Sequence, residues 1–202
     1  MMTAKSWLLA LAMMAAGAGG ATAQPHEGHR IALWAPSVTI GGPSFYDQTL
    51  RMVAHPSVGG SQLRVRLSNL RSTTPLVVGG ASLALQAQGA AAVPGSLQPL
   101  TVNHAATFTI PAGTEVLSDP VPVSVRAGQN VLVSLYLPQQ TSSATWHSDA
   151  FDTSYASAAG SGNHVDDLDQ ASYAAGSTST SWYYLSGLEA VAAVPATVVA
   201  FG

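Results

Sequence analysis

The sequence predicts an all-β protein whose strands form an antiparallel β-sandwich of jelly-roll type. Apolar residues alternate with polar ones in short runs, and this period of two indicates half-buried strands. Clusters of glycine, proline and asparagine separate the runs, and no stretch sustains the apolar spacing of a helix. Short strands bounded by turns, with no helices between them, favour a sandwich over a parallel α/β sheet.

The clearest strand covers residues 61–69, where apolar and basic side chains alternate. Those on one side are Leu63, Val65 and Leu67, and those on the other are Arg64 and Arg66. A second apolar set lies at 48–54, across a pair of glycines, so we expect these two runs to pair as a hairpin. The segment 130–137 has the next clearest inner face, which includes Val133 and Leu135.

The remaining strands follow at fairly regular intervals. We place them at 31–35, 76–86, 98–102, 106–110, 115–125, 143–147 and 181–194. Residues 150–179 are rich in alanine, glycine, serine and aspartate and show no period, so we predict one long loop there. Long loops in compact domains are often functional or mobile.

The beginning of the chain has the features of a signal peptide. Residues 1–23 contain a lysine, an apolar core and an Ala-Thr-Ala cleavage site. We therefore expect export to the periplasm or the cell exterior, with no stable membrane span after cleavage. An uncleaved anchor is the alternative. Residues 24–30 are polar and are predicted to be a flexible arm.

Composition excludes several classes of function. Charged residues make up only 8% of the chain, against about 25% in ordinary domains. There is no basic stripe, so nucleic acid is not an expected partner. The absence of cysteine argues against a disulfide scaffold and against thiolate metal sites, and we predict neither a cofactor nor a metal. Surfaces this poor in charge are typical of secreted β-proteins that handle neutral ligands, and genome composition alone is the alternative explanation of the bias.

A series of short motifs runs through the chain. They read Asp47-Gln48-Thr49-Leu50-Arg51, Ser57-Val58-Gly59-Gly60, Arg64-Val65-Arg66-Leu67-Ser68-Asn69, Thr74-Pro75-Leu76, Val133-Ser134-Leu135-Tyr136-Leu137-Pro138, Ala144-Thr145-Trp146-His147, Thr180-Ser181-Trp182-Tyr183-Tyr184-Leu185-Ser186-Gly187 and Val198-Val199-Ala200-Phe201-Gly202. In this order they resemble the N-terminal accessory domain of secreted bacterial SGNH hydrolases, the GDSL-type esterases and lipases. The resemblance spans about residues 34–202. It departs from the family at Leu70-Arg71-Ser72, where an aromatic residue and a glycine are usual.

The resemblance also bears on the end of the chain. It implies that Gly202 stands where the Gly-Asp-Ser nucleophile block begins, so that 31–195 is the accessory sandwich. Residues 196–202 would then be the first strand of a missing α/β catalytic domain. The composition of 196–202 supports this interpretation independently of the resemblance. The run is apolar without alternation, which is typical of a strand buried on both faces of a parallel sheet.

Two aromatic segments are candidates for a ligand face or a face that docks another domain. Trp146 and His147 end a strand, where they suit a sugar-binding face or, as the favoured interpretation, packing inside the sandwich. In the run 182–184, alternation turns Tyr183 away from its two aromatic neighbours. At least one of these rings would then lie outside the core unless a partner covers it.

The outward arginines complete the candidate face. Arg64 and Arg66 project from a strand that otherwise reads as central, and either a docked partner domain or simple solvation would account for them. No catalytic residue is predicted. The string Ser161-Gly162-Asn163-His164 spells the family name, but it has no strand-to-helix elbow and no apolar flank, so we interpret it as coincidence.

These observations together predict a non-catalytic accessory domain of an exported ester hydrolase. By the resemblance, the parent enzyme acts on acyl esters, with acetylated carbohydrate among its candidate substrates, and the expected partner is the missing catalytic domain. The alternative is a free-standing carbohydrate-binding module with Trp146 and Tyr183 as its platform. A complete small enzyme ranks third, because no serine stands in a nucleophile context.

Overall fold

The structure, a computed structural model, describes residues 29–192, and over this range the chain is an all-β fold. The predicted signal peptide, nearly all of the predicted arm and the run 196–202 lie outside the described residues. His29 and Arg30, the last residues of the predicted arm, begin the first strand. None of the described residues forms a helix with the length and apolar character needed to cross a membrane.

The described part of the chain contains sixteen short strands and one turn of 3-10 helix, joined by turns and loops. The strands are β1 (His29–Trp34), β2 (Gln48–Ala54), β3 (Gly60–Ser68), β4 (Leu76–Val78), β5 (Gly80–Gln88), β6 (Ala91–Ala92), β7 (Gln98–Pro99), β8 (Phe108–Ile110), β9 (Glu115–Leu117), β10 (Val121–Val125), β11 (Val131–Leu137), β12 (Trp146–His147), β13 (Ser154–Ala156), β14 (Ser177–Ser179), β15 (Trp182–Tyr183) and β16 (Leu185–Ala192). The 3-10 turn is Ala171–Tyr173.

Two main sheets contain most of these strands. The first has the order β1-β16-β3-β10, with β9 also on β3, and the second has the order β14-β13-β2-β11-β5-β6, with β7 also on β5. Two small sheets, β12-β15 and β4-β8, complete the fold. Every strand pair that the structure describes is antiparallel. The prediction of an antiparallel all-β sandwich is confirmed.

The core lies between the inner faces of the two main sheets. Alternate residues of β3 and β11 point into it, as the period of two predicts. The five predicted core residues are all at most 1% exposed and belong to one cluster: Leu63, Val65, Leu67, Val133 and Leu135.

The predicted hairpin between 48–54 and 61–69 is wrong. β2 pairs with β11 and β13, whereas β3 pairs with β16, β10 and β9, so the two strands lie in different sheets. The connection between them contains Pro56, which has no amide hydrogen to donate to a ladder. Gly60 allows β3 to lie close to β16 and does not form a tight turn, because a Cβ on Gly60 would lie 2.7 Å from the Cβ of Ala190.

The predicted long loop 150–179 is also more structured than its sequence indicates. It contains β13, β14 and the 3-10 turn, and β13 extends the second sheet beside β2. Residues 157–176, here called the covering loop, lie over the outer face of that sheet. The loop is bonded to Thr49 and Arg51 on this outer face, while Leu50, Met52 and Ala54 belong to the core, and all seven residues of β2 are buried.

Replacing Val65 with Asp should destabilise the sandwich severely. Val65 is 0% exposed, so the carboxylate would be buried without a partner. We expect a loss of about 3 kcal/mol or more in the free energy of unfolding, measured by urea denaturation. The matched control is Ser124→Asp on the neighbouring strand β10, where the side chain is exposed and the change should stay within about 0.5 kcal/mol. Equal stability of the two variants would contradict the register of β3.

Candidate functional site

A row of polar side chains crosses the outer face of the second sheet, beneath the covering loop. The strand register places Arg51 of β2 opposite Ser134 of β11, and Ser134 opposite Ser82 of β5. On the other side of Arg51, the register places Tyr155 of β13. Alternation turns these residues away from the core, and Arg51, Ser134 and Ser82 are nevertheless at most 2% exposed.

Arg51 is the centre of this row. Its Nε donates a hydrogen bond to Ser134 Oγ at 2.9 Å, and its Nη1 donates to the carbonyl oxygen of Ala90 at 2.8 Å. Its Nη2 reaches two carbonyl oxygens of the covering loop, those of His164 at 3.3 Å and Val165 at 3.4 Å. The guanidinium carbon also lies 4.7 Å from the centre of the Tyr173 ring. Arg51 therefore joins two strands, the segment after β5 and the covering loop.

The charge of Arg51 has an unusual environment. Among the described residues, no carboxylate lies within ion-pair distance of it, and burial lowers its pKa. The Tyr173 ring and the carboxylates of Asp166, Asp167 and Asp169 oppose this shift electrostatically. Carbonyl dipoles and the face of an aromatic ring thus satisfy the cation, which suits the weakly hydrated and planar guanidinium better than an ammonium group.

Other hydrogen bonds hold the covering loop to the second sheet. Thr49 Oγ1 on the outer face donates to the carbonyl oxygen of Gly162 at 3.0 Å, and Gln48 Nε2, on the other face of β2, donates to that of Ser157 at 2.9 Å. Ser82 Oγ donates to the carbonyl oxygen of Val165 at 2.5 Å. The loop is thus bonded to β2 and β5 through polar side chains that would otherwise face solvent.

The last part of the covering loop forms one wall of a surface groove of about 730 Å³, here called the tyrosine groove. It is lined by Tyr155, Asp169, Gln170, Ala171, Tyr173, Ala174, Gly176 and Thr178. The two tyrosine rings meet edge to face, with their centres 6.3 Å apart. Burial raises the pKa of Tyr155, and it raises that of Tyr173 to about 12, so both phenols stay neutral under ordinary conditions.

The predicted aromatic residues come together in one cluster away from this groove. Trp146 lies opposite Tyr183 in the β12-β15 sheet, and their rings are stacked with centres 6.4 Å apart. His147 lies opposite Trp182 and stacks on it in the same way. Trp146 Nε1 donates to the carbonyl oxygen of Ile40 at 2.9 Å, while part of the Trp146 surface stays exposed.

The alternation expected in the run 182–184 fails. All three rings are buried, and Tyr183 is only 8% exposed. Tyr184 has a φ of +59°, which interrupts the extended backbone and with it the alternation of side chains. Tyr183 therefore packs against Phe45 and Trp146, and its ring is not a free platform.

Arg64 and Arg66 lie on a different face, the outer side of the first sheet. Arg66 forms an ion pair with Glu189 on the neighbouring strand β16. Arg64 Nε donates to the carbonyl oxygen of Ser118 at 2.6 Å. Both side chains are partly exposed, so the prediction that they point outward agrees with their positions. What they face in solution stays a prediction.

The Ser161–His164 string does not form a nucleophile. Ser161 Oγ donates to Ser157 Oγ at 2.8 Å, and His164 Nε2 contacts the carbonyl oxygen of Ser161 at 3.0 Å rather than its hydroxyl. His164 Nδ1 contacts Asp167 Oδ2, also at 3.0 Å. Both ring nitrogens are occupied, so His164 fastens the covering loop internally and has no free nitrogen to deprotonate a serine.

Sequence reasoning missed the residues of the tyrosine groove and the role of Arg51. One signal was present, because Arg51 stands alone between Leu50 and Met52 in an otherwise apolar run. Tyr155 and Tyr173 lie in the segment without period, which gives no indication of what they pack against.

Ionisation of Tyr173 should destabilise the fold at high pH. Its pKa is about 12 in the folded chain and about 10 unfolded, so the folded state holds the proton more tightly. The resulting stability is complete below pH 10 and is lost as the pH rises towards 12, by about 2 to 3 kcal/mol. Urea unfolding along this pH range should show a shallower decline for Tyr173→Phe than for the parent. Tyr46→Phe is the control, because Tyr46 is 53% exposed, and its decline should match that of the parent. Identical slopes for all three proteins would contradict the burial of Tyr173.

No protein-family model and no curated protein sequence matches the chain, so the chemistry of the site rests on the described residues alone.

Proposed function

We propose that this chain is a non-catalytic β-sandwich domain that accompanies an exported SGNH-type ester hydrolase, with the parent acting on acyl esters. The proposal rests on the role of the sequence motifs that resemble the SGNH accessory domain: in the fold, their polar side chains make structural hydrogen bonds. Within the described residues, the polar side chains of these motifs hold the sandwich together and do not converge on a reaction centre.

Three of these polar residues illustrate the point. Asp47 Oδ1 accepts a hydrogen bond from the hydroxyl of Tyr136 at 2.7 Å, which ties the start of β2 to β11. Arg51 holds the covering loop. Asn69 Nδ2 donates to the carbonyl oxygens of Thr74 at 2.8 Å and Ile110 at 3.0 Å, which fixes the chain after β3. Such motifs are those of a structural module.

The docking of a catalytic domain is part of this proposal. Arg64 and Arg66 are partly exposed on the first sheet, and Trp146 and His147 are partly exposed on the β12-β15 sheet, where Tyr183 supports Trp146 from below. Ile40, whose carbonyl accepts from Trp146, is 68% exposed beside them. An exposed apolar side chain next to half-buried aromatic rings favours a protein partner on this side of the domain.

A carbohydrate-binding module is the second candidate function. The burial of Tyr183 does not support a binding platform made of Trp146 and Tyr183. The tyrosine groove does favour this class, because it combines aromatic rings with exposed amide, carboxylate and hydroxyl groups. The two functions are compatible, because the tyrosine groove and the Trp146 cluster are formed by different residues.

The chain by itself should not hydrolyse p-nitrophenyl acetate above the buffer rate. The reason is the bonding of His164, which leaves no nitrogen for a serine hydroxyl. The assay compares the purified chain with Ser161→Ala and His164→Ala variants, and all three should give the same background. Turnover that copurifies with the parent and disappears in either variant would contradict the proposal and favour a complete small enzyme.

A further inference from the structure

The tyrosine groove has a floor that the rest of the fold holds in place. Tyr155 belongs to β13 and lies opposite Thr178 of β14 and Arg51 of β2. Tyr173 is 5% exposed, rests on the Arg51 guanidinium, and its hydroxyl contacts the carbonyl oxygen of His164 at 3.4 Å. A floor fixed before binding spares a ligand the entropy of ordering these rings.

The walls of the groove carry unused hydrogen-bonding groups. Within residues 29–192, the side chains of Gln170 and Thr178 make no hydrogen bond to the protein, and both residues are exposed. One carboxylate oxygen of Asp169 accepts from the amide of Ala171 at 2.9 Å, and the other is unoccupied by any described residue. Together they offer an amide donor and acceptor, a hydroxyl and a carboxylate acceptor over aromatic rings.

The charge of the lining restricts the ligand. Asp169 is the one charged residue among the lining side chains, and no basic residue lines the groove. The guanidinium of Arg51 lies behind Tyr173, with four of its five N–H donors already bonded to described residues. Phosphate and other anions therefore find no positive partner, and a neutral polyhydroxylated ligand fits the available groups.

The groove ends at the Tyr155-Thr178 pair. A smaller hollow of about 220 Å³ also borders this pair, and its lining includes Phe45, Ala156, Ser177 and Tyr183. Ala156 pairs with Ser177, and alternation places this pair on the opposite face of β13 and β14 from Tyr155 and Thr178, so the two hollows are separate. Small residues, Ala171, Ala174 and Gly176, line the larger hollow, and these do not form the side-chain pockets that bind an extended peptide.

We propose that the tyrosine groove binds a neutral carbohydrate chain, with a sugar ring against Tyr155 and sugar hydroxyl groups bonded to Gln170, Asp169 and Thr178. The aromatic ring takes the apolar face of the sugar, and the amide and carboxylate take hydroxyl groups at its edge. This site is distinct from the Trp146 cluster. It does not depend on the proposed hydrolase partner, since a free-standing module would use it equally.

The test is an NMR titration of the full chain with four neutral hexasaccharides: cellohexaose, xylohexaose, mannohexaose and hexa-N-acetylchitohexaose. At least one should shift the side-chain amide of Gln170 and the backbone amides of 169–178. Gln170→Ala should weaken that binding by about tenfold, the effect of losing one or two hydrogen bonds to a ligand. Gln139→Ala is the matched control, because Gln139 is exposed and does not line the groove, and it should bind like the parent.

Two further arms distinguish this ligand from others. Tyr155→Leu, which removes the ring but keeps an apolar side chain in β13, should abolish the shifts while the melting temperature shows that the variant is folded. Hexagalacturonic acid, which is anionic, and a Thr-Val repeat peptide should not bind. The proposal is overturned if no neutral hexasaccharide moves the groove signals, if Gln170→Ala binds like the parent, or if the shifts appear around Trp146. It is equally overturned if the anionic sugar or the peptide is the ligand that moves the groove signals.

Discussion

The arrangement of this domain depends on one buried cation. The guanidinium of Arg51 lies on the outer face of the second sheet, where it would meet solvent in a simple sandwich, yet it is 1% exposed. Burying a charge is costly unless its hydrogen bonds are satisfied, and here the partners are the hydroxyl of a neighbouring strand and three carbonyl oxygens. Two of these carbonyls belong to the covering loop. The cation and the covering loop therefore stabilise each other. Removal of either one would leave the other with unpaired polar groups.

The candidate site follows from this dependence. Since the loop is held over β2, its last part stands beside β13 and β14 and closes the tyrosine groove, with Tyr173 between the groove and Arg51. The outer face of the second sheet thus holds both Arg51, which stabilises the fold, and the residues of the tyrosine groove. The Trp146 cluster and the outward arginines of β3 lie elsewhere, so the proposed partner domain and the proposed carbohydrate would occupy different surfaces.

The sequence predicted those parts of the structure in which one strand face is buried by another sheet. Leu63, Val65 and Leu67 alternate with arginines, and burial of one face follows directly from the period. Arg51 obeys the same rule, but its environment could not be predicted, because two of the three carbonyls that bind it are more than a hundred residues away in a segment without period. The predicted hairpin between 48–54 and 61–69 is wrong for a related reason. β2 pairs with β11 over seven residues, and these distant contacts stabilise it more than pairing with β3 across a short connection would. Tyr183 could not be placed because Tyr184 adopts a positive φ that its residue type does not indicate.

Hydrogen exchange in an Arg51→Met variant tests the central claim most directly, because Met preserves much of the side-chain volume and removes the cation. The account predicts at least about tenfold faster exchange at the amide of His164, which donates to Thr49 Oγ1, and at that of Ala92, which donates to Leu168. The amide of Val133 in β11 should keep its protection relative to these two, and Arg66→Met should leave all three unchanged. Unaltered exchange at His164 and Ala92 in Arg51→Met, or an equal loss of protection at Val133, would contradict the claim that Arg51 holds the covering loop.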